Sequence, residues 1–176
     1  MRRGRWLTIK RLLRSPWLPW HAATRVPLSS AKQQLVVDIE AFRPTAVWLD
    51  GLWFFELAEL VSEQFRVPLL YRSHNVEHRY LPGQAAAAAR VRDRIAWRAA
   101  CIGLERYEWK VMRSAAAVFD ISMDDLAFWR ERGLTSAHWL PPLSEEMISP
   151  CAEPPVSGDL VFVGNLRTPN NLQGLR

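Results

Sequence analysis

Cysteine is nearly absent from this chain. Cys101 and Cys151 stand alone in unrelated contexts, with neither a C-x-x-C spacing nor the density of a disulfide scaffold, which fits a reducing cytoplasm. Long apolar runs are missing as well. No stretch approaches the roughly 20 residues that a membrane-spanning helix needs. The segment from Trp6 to Leu13 is interrupted by Lys10 and Arg11, so it lacks the unbroken core of a secretory signal.

Apolar residues are still plentiful, at 49% of 176 residues against 23% charged. That balance is ordinary for a packed core, in one large domain or one domain plus a piece of another. The formal net charge of +5 is unevenly spread. Arg2, Arg3, Arg5, Lys10, Arg11 and Arg14 crowd the start, and Arg90, Arg92, Arg94 and Arg98 crowd a later helix. Only these two clusters would attract a polyanion or an anionic membrane surface. The first reads as a basic amphipathic segment over 1–28, its helix ended by Pro16 and Pro19, able to lie on an anionic membrane face. Nucleic acid is not expected as a partner, because most tryptophans are spaced for core or amphipathic faces and not as a stacking platform.

From Ser29 the order of elements is informative. A helix carries Leu35, Ile39 and Phe42 on one face and stops at Arg43-Pro44. Ala46–Leu49 reads as a strand running into Asp50-Gly51, and Phe54–Phe65 as a helix with Glu56, Glu59 and Glu63 outside. Val67–Tyr71 is then a second strand, which makes a right-handed βαβ crossover. After Pro82-Gly83 the pattern predicts one long helix from about Ala85 to Arg113. Ala115–Ile121 is a strand, Ser122-Met123-Asp124-Asp125 a capped helix start, Gly133 a helix stop, and Ala137–Leu140 a further strand. The prolines at 141, 142, 150, 154 and 155 have linker composition, placed at 144–158. Asp159–Val163 begins a fresh strand, followed by a turn at Gly164-Asn165 and a helix from Asn171. The expected fold class is α/β: a partial N-terminal Rossmann-like domain over 29–143, then the first strand, turn and helix of a second Rossmann-like domain over 159–176.

The chemistry concentrates at one strand tip. Val-Pro-Leu-Leu-Tyr breaks abruptly into Arg72, Ser73, His74, Asn75, Val76 and Glu77, and in parallel α/β sheets ligands sit beyond the carboxyl ends of strands. His74 can donate to a hydroxyl or phosphate and Asn75 can donate and accept. The alternative role for His74 and Glu77 is to tie down the loop. Asp50 and Gly51 sit at the neighbouring tip, as acceptor contacts or as a simple turn. Ser122 and Asp125 read as capping residues.

The run Arg72–Glu77, Tyr107-Glu108, Ser122 with Asp125, Leu140-Pro141-Pro142, the strand 160–163 with Gly164-Asn165, and Pro169-Asn170-Asn171 together resemble bacterial family 4 glycosyltransferases. The resemblance covers most of the chain from about Phe42. It implies the GT-B architecture, with two Rossmann-like domains facing a cleft that takes a nucleotide-sugar as donor substrate, and no other cofactor or metal. It implies that His74, Asn75, Glu77, Asp50 and Gly51 face the substrate. It further implies that Gly164, Asn165, Asn170 and Asn171 approach the donor diphosphate at a helix start. The implied function is sugar transfer to a glycan or lipid-linked acceptor in surface polysaccharide assembly, at the cytoplasmic face of a membrane. The family's opening strand with its glycine loop and its glutamate pair are not matched, so the chain is expected to be incomplete and inactive in isolation. Glu145 and Glu153 share the pair's spacing, but Pro150 lies between them, and Ala116 stands where relatives carry an aspartate.

Two other classes compete. His74-Asn75-Val76-Glu77-His78 spells H-x-x-E-H, a zinc-peptidase motif that requires both histidines on one helical turn. A basic binding module for membrane or nucleic acid is the second.

Overall fold

The structure, a computed structural model, describes residues 18–26 and 29–142. The basic start, Cys151, most of the proline-rich stretch and the expected second-domain opening, including Gly164, Asn165, Asn170 and Asn171, lie outside the described residues.

The described residues form an α/β unit around a four-stranded parallel sheet, compatible with a Rossmann-like fold. In chain order they are α1 (Trp20–Ala23), α2 (Ser29–Phe42), β1 (Val47–Asp50), a 3-10 turn (Leu52–Phe54), α3 (Phe55–Phe65), β2 (Leu69–Ser73), α4 (Glu77–Ala87), α5 (Val91–Ala100), α6 (Leu104–Ser114), β3 (Ala117–Asp120), α7 (Met123–Glu131) and β4 (Ala137–Trp139). The strands lie side by side in sequence order, β1-β2-β3-β4. Parallel strands joined in that order by right-handed crossovers must place every crossover on the same face of the sheet. Burial agrees: Leu49, Leu69, Tyr71, Ser73, Val118, Asp120 and Ala137 are buried on the helix side. On the other face Trp48 stays 47% exposed and stacks on Phe119 with ring centroids 5.4 Å apart.

Local chemistry explains the helix bounds. In α3 the apolar residues Phe55, Ala58 and Val61 fall on the buried side, and Glu56 sits in the positively polarised first turn. The helix ends at Arg66, which takes a left-handed φ of 53° and sends its amide back to the Ser62 carbonyl. Pro68 then prevents continuation. α6 buries Leu104, Tyr107, Glu108, Val111 and Met112, the i, i+3, i+4, i+7, i+8 stripe of a core-facing helix. Lys110 on its outer side reaches Glu59 of α3 at 2.7 Å and lies over the Phe55 ring. Residues 18–26, read as part of the basic segment, pack against the domain: Ala22 and Ala23 are buried and His21 lies 5.1 Å from the Trp53 ring.

One expectation is corrected. The single helix over Ala85–Arg113 is three helices. α4 runs straight through Pro82 and Gly83, the chain then extends at Ala88–Arg90, and Gly103 at φ 69° separates α5 from α6. Alanine propensity overstates continuity where a tertiary contact sets the helix start, as shown below. On α2, the face that Leu35, Ile39 and Phe42 share is only partly covered: Leu35 and Ile39 are half-buried and Phe42 is 79% exposed.

Truncating Phe55 to alanine, a ring with no exposed surface, is expected to cost about 3–5 kcal/mol in urea unfolding. Phe42→Ala should stay within about 0.5 kcal/mol. Equal effects would contradict the core assignment.

Candidate functional site

The register pairs Asp50 with Arg72 across β1 and β2, and Ser73 with Asp120 across β2 and β3. Side-chain alternation divides these groups between the faces. Ser73 and Asp120 point toward the helices and are buried, while Asp50 and Arg72 point the other way. At the exposed tip His74 Nε2 lies 2.6 Å from Asp50 Oδ1, and Arg72 Nη1 lies 3.7 Å from the same oxygen. One carboxylate thus joins two strand tips and orients an imidazole. Gly51 follows at φ 80° and ψ 156°, a conformation that only glycine adopts freely. Its amide donates to the Arg72 carbonyl at 3.1 Å, so Gly51 shapes the turn that presents Asp50.

The loop after β2 is held from behind. Val76, at the N-cap of α4, offers no side-chain cap. The carboxylate of Glu108 on α6, fully buried, takes that role from 30 residues away. Its Oε1 accepts from the Glu77 amide at 2.8 Å, and its Oε2 accepts from the His78 amide at 3.1 Å and contacts His78 Nδ1 at 2.5 Å. An internal anion therefore occupies the place where a helix start would otherwise attract a phosphate. α7 is similarly closed: the Ser122 hydroxyl accepts from the Asp125 amide at 3.3 Å, and Asp124 and Asp125 fill its first turn.

Carboxylates dominate this edge. Burial, reinforced by Glu108, pushes the Glu77 carboxyl up to about 7, against a hydrogen bond from the Asn75 side chain and the His74 charge. Burial likewise pushes Asp120 up to about 7, opposed by the nearby Ser73 hydroxyl, with Asp125 and Glu108 adding repulsion. Neither oxygen of Asp120 has a hydrogen-bond partner among the described residues. Ser73, its register neighbour, sends its hydroxyl to the Asn75 carbonyl at 3.2 Å.

Of the residues read from sequence, Asp50, Gly51, His74, Asn75 and Glu77 come together at the β1 and β2 tips. Asn75 accepts from the Ser73 hydroxyl through its backbone carbonyl, and Glu77 donates its backbone amide to Glu108, so holding the loop is their visible role. Ser122 caps α7 as expected. The zinc-peptidase reading of H-x-x-E-H does not assemble: His74 precedes α4, and the two histidines engage different carboxylates. Among the described residues no group of side chains is arranged to hold a metal ion. Sequence reading missed His78, Glu108 as a ligand of the loop, and Asp120. A glutamate on the apolar stripe of α6 was the available signal for the second. Comparison of the chain with protein-family models, curated proteins and solved structures gives no match.

An acid whose folded pKa is raised holds its proton when folded and releases it when unfolded, so stability falls as pH rises from about 4 through about 7. Asp120→Asn keeps the shape without the charge. It should match the parent near pH 4 and exceed it by on the order of 1–3 kcal/mol at pH 8, measured by urea unfolding. An equal gain at both pH values would remove the proton linkage.

Proposed function

We propose that the described unit is the acceptor side of a GT-B glycosyltransferase, which moves a sugar from a nucleotide-sugar to a glycan or lipid-linked acceptor. The observation that carries this reading is the Asp50 and His74 contact at the β1 and β2 tips. It supports hydroxyl recognition: an oriented imidazole and an exposed carboxylate can share the protons of a sugar hydroxyl. The ordered motifs from Arg72 to Asn171 add the family resemblance. The acidic edge and its closed helix starts favour an acceptor hydroxyl here. On this reading the donor diphosphate contacts belong to Gly164, Asn165, Asn170 and Asn171. Transfer needs an enclosed polar cleft around the leaving diphosphate, which the second lobe would complete. No described helix is long and apolar enough to cross a membrane. A peripheral position at a cytoplasmic membrane face belongs to the same proposal.

The test is ligand binding by the 176-residue chain, using saturation-transfer NMR with panels of oligosaccharides and nucleotide-sugars. Saccharide binding weakened about tenfold, ~1.4 kcal/mol, in Asp50→Asn and His74→Ala is expected. Binding indifferent to both substitutions, or preference for RNA over every saccharide, would sink the reading.

A further inference from the structure

His78 is the one histidine of this edge that the transferase reading leaves without a task. Its ring is fixed on three sides. Nδ1 meets Glu108 Oε2 at 2.5 Å, and the rings of Phe128 and Trp129 lie 5.7 and 5.9 Å away by centroids, inclined at 51° and 66°. The same Glu108 oxygen already accepts from the His78 backbone amide, so it acts as an acceptor and the proton of the contact belongs to Nδ1. The side chain is 14% exposed, and Nε2 has no hydrogen bond among the described residues.

We propose that Glu108 locks His78 with its proton on Nδ1, and that Nε2 is a hydroxyl-binding point of its own on the helix side of the same loop, taking a hydrogen bond from a neutral polyhydroxylated ligand. In the neutral ring the bond made by one nitrogen fixes the role of the other. The two histidines are then complementary. His74 turns Nε2 toward its carboxylate, His78 turns Nδ1 toward its own, and each leaves the opposite nitrogen over. The charged groups near His78 are Glu77 beside it in the chain, Glu108, Asp125, and the Arg79 and Arg132 guanidinium groups, which lie 4.8 and 3.7 Å from the centroid of the Phe128 ring that His78 packs against. The cations are taken up on that aromatic ring and Nε2 is left as a neutral acceptor, which a sugar hydroxyl fits. The ligand assignment rests on the transferase reading of the same edge; the tautomer does not.

Long-range proton–nitrogen NMR of the uniformly labelled chain at pH 8 separates the two. His78 is expected to show a protonated Nδ1 and a single tautomer in the parent, and a mixture of both tautomers in Glu108→Ala, which removes the only acceptor that Nδ1 has among the described residues; should that variant fail to fold, the parent's tautomer decides the lock by itself. A protonated Nε2 in the parent, or no change in the variant, overturns the lock. His78→Asn places an N–H where Nδ1 was and deletes Nε2. It should keep the parent's unfolding midpoint and lose about tenfold in affinity for the oligosaccharide the parent binds. Unchanged affinity overturns the ligand role. If the parent binds no oligosaccharide, the transferase reading and the ligand role fall together, while the tautomer result still decides the lock.

Discussion

The buried carboxylate of Glu108 is the constraint on which the arrangement of the β2 tip depends. A charge without exposed surface is tolerated only where several donors compensate its lost hydration. Here two backbone amides and an imidazole do so. The same bonds supply α4 with the cap that its own sequence lacks, and they tie α6 to the far side of the sheet connection. Position follows from necessity: the loop from Ser73 to Val76 cannot relax without stranding that charge. His74 and Asn75 are therefore presented by a loop clamped at its helical end and anchored at its strand end by the β2 ladder.

What the sequence made legible was what local pattern determines. Alternating or continuous apolar runs located all four described strands within two residues at each end, with β2 set two residues early and β3 drawn two residues long at its start. Ser122 with Asp125 announced a capped helix, and Arg43-Pro44 marked the end of α2. The misplacement of α4 has a definite cause. Pro82-Gly83 looks like a boundary because proline removes an intrahelical bond, yet the helix begins earlier since Glu108 pays locally for its first amides. A cap supplied from 30 residues away leaves no trace near Glu77. The Asp50 and His74 contact was invisible for a similar reason, because it needs the β1 and β2 register and not either segment alone.

The sequential strand order has a further consequence. A doubly wound sheet makes its crevice where strand order reverses, and the four described strands contain no reversal. The site is instead built where two adjacent tips end level with each other. One face of the sheet receives all the crossover helices, and the aromatic strip of Trp48, Phe119 and His138 crosses the other. Purely parallel sheets are normally covered on both faces. Asp50 and Arg72 project from that second face, whereas Ser73 and Asp120 project from the first. The edge is thus divided into an exposed pair above the sheet and a desolvated pair below it.

That division resolves an apparent conflict between global and local charge. The chain is basic overall, yet the strand tips and the helix starts beside them gather Asp50, Glu77, Glu108, Asp120 and Asp125. Surface charges are screened within about 10 Å at ordinary ionic strength, so the local groups and not the net charge set the potential there. What matters there is Arg72, Arg79 and the two histidines, each already committed to a carboxylate or an aromatic face. An anionic group entering this edge would meet helix starts already occupied by carboxylates. On the acceptor-hydroxyl proposal, Asp50 and the imidazole nitrogens left over from their carboxylate bonds would be the groups that accept.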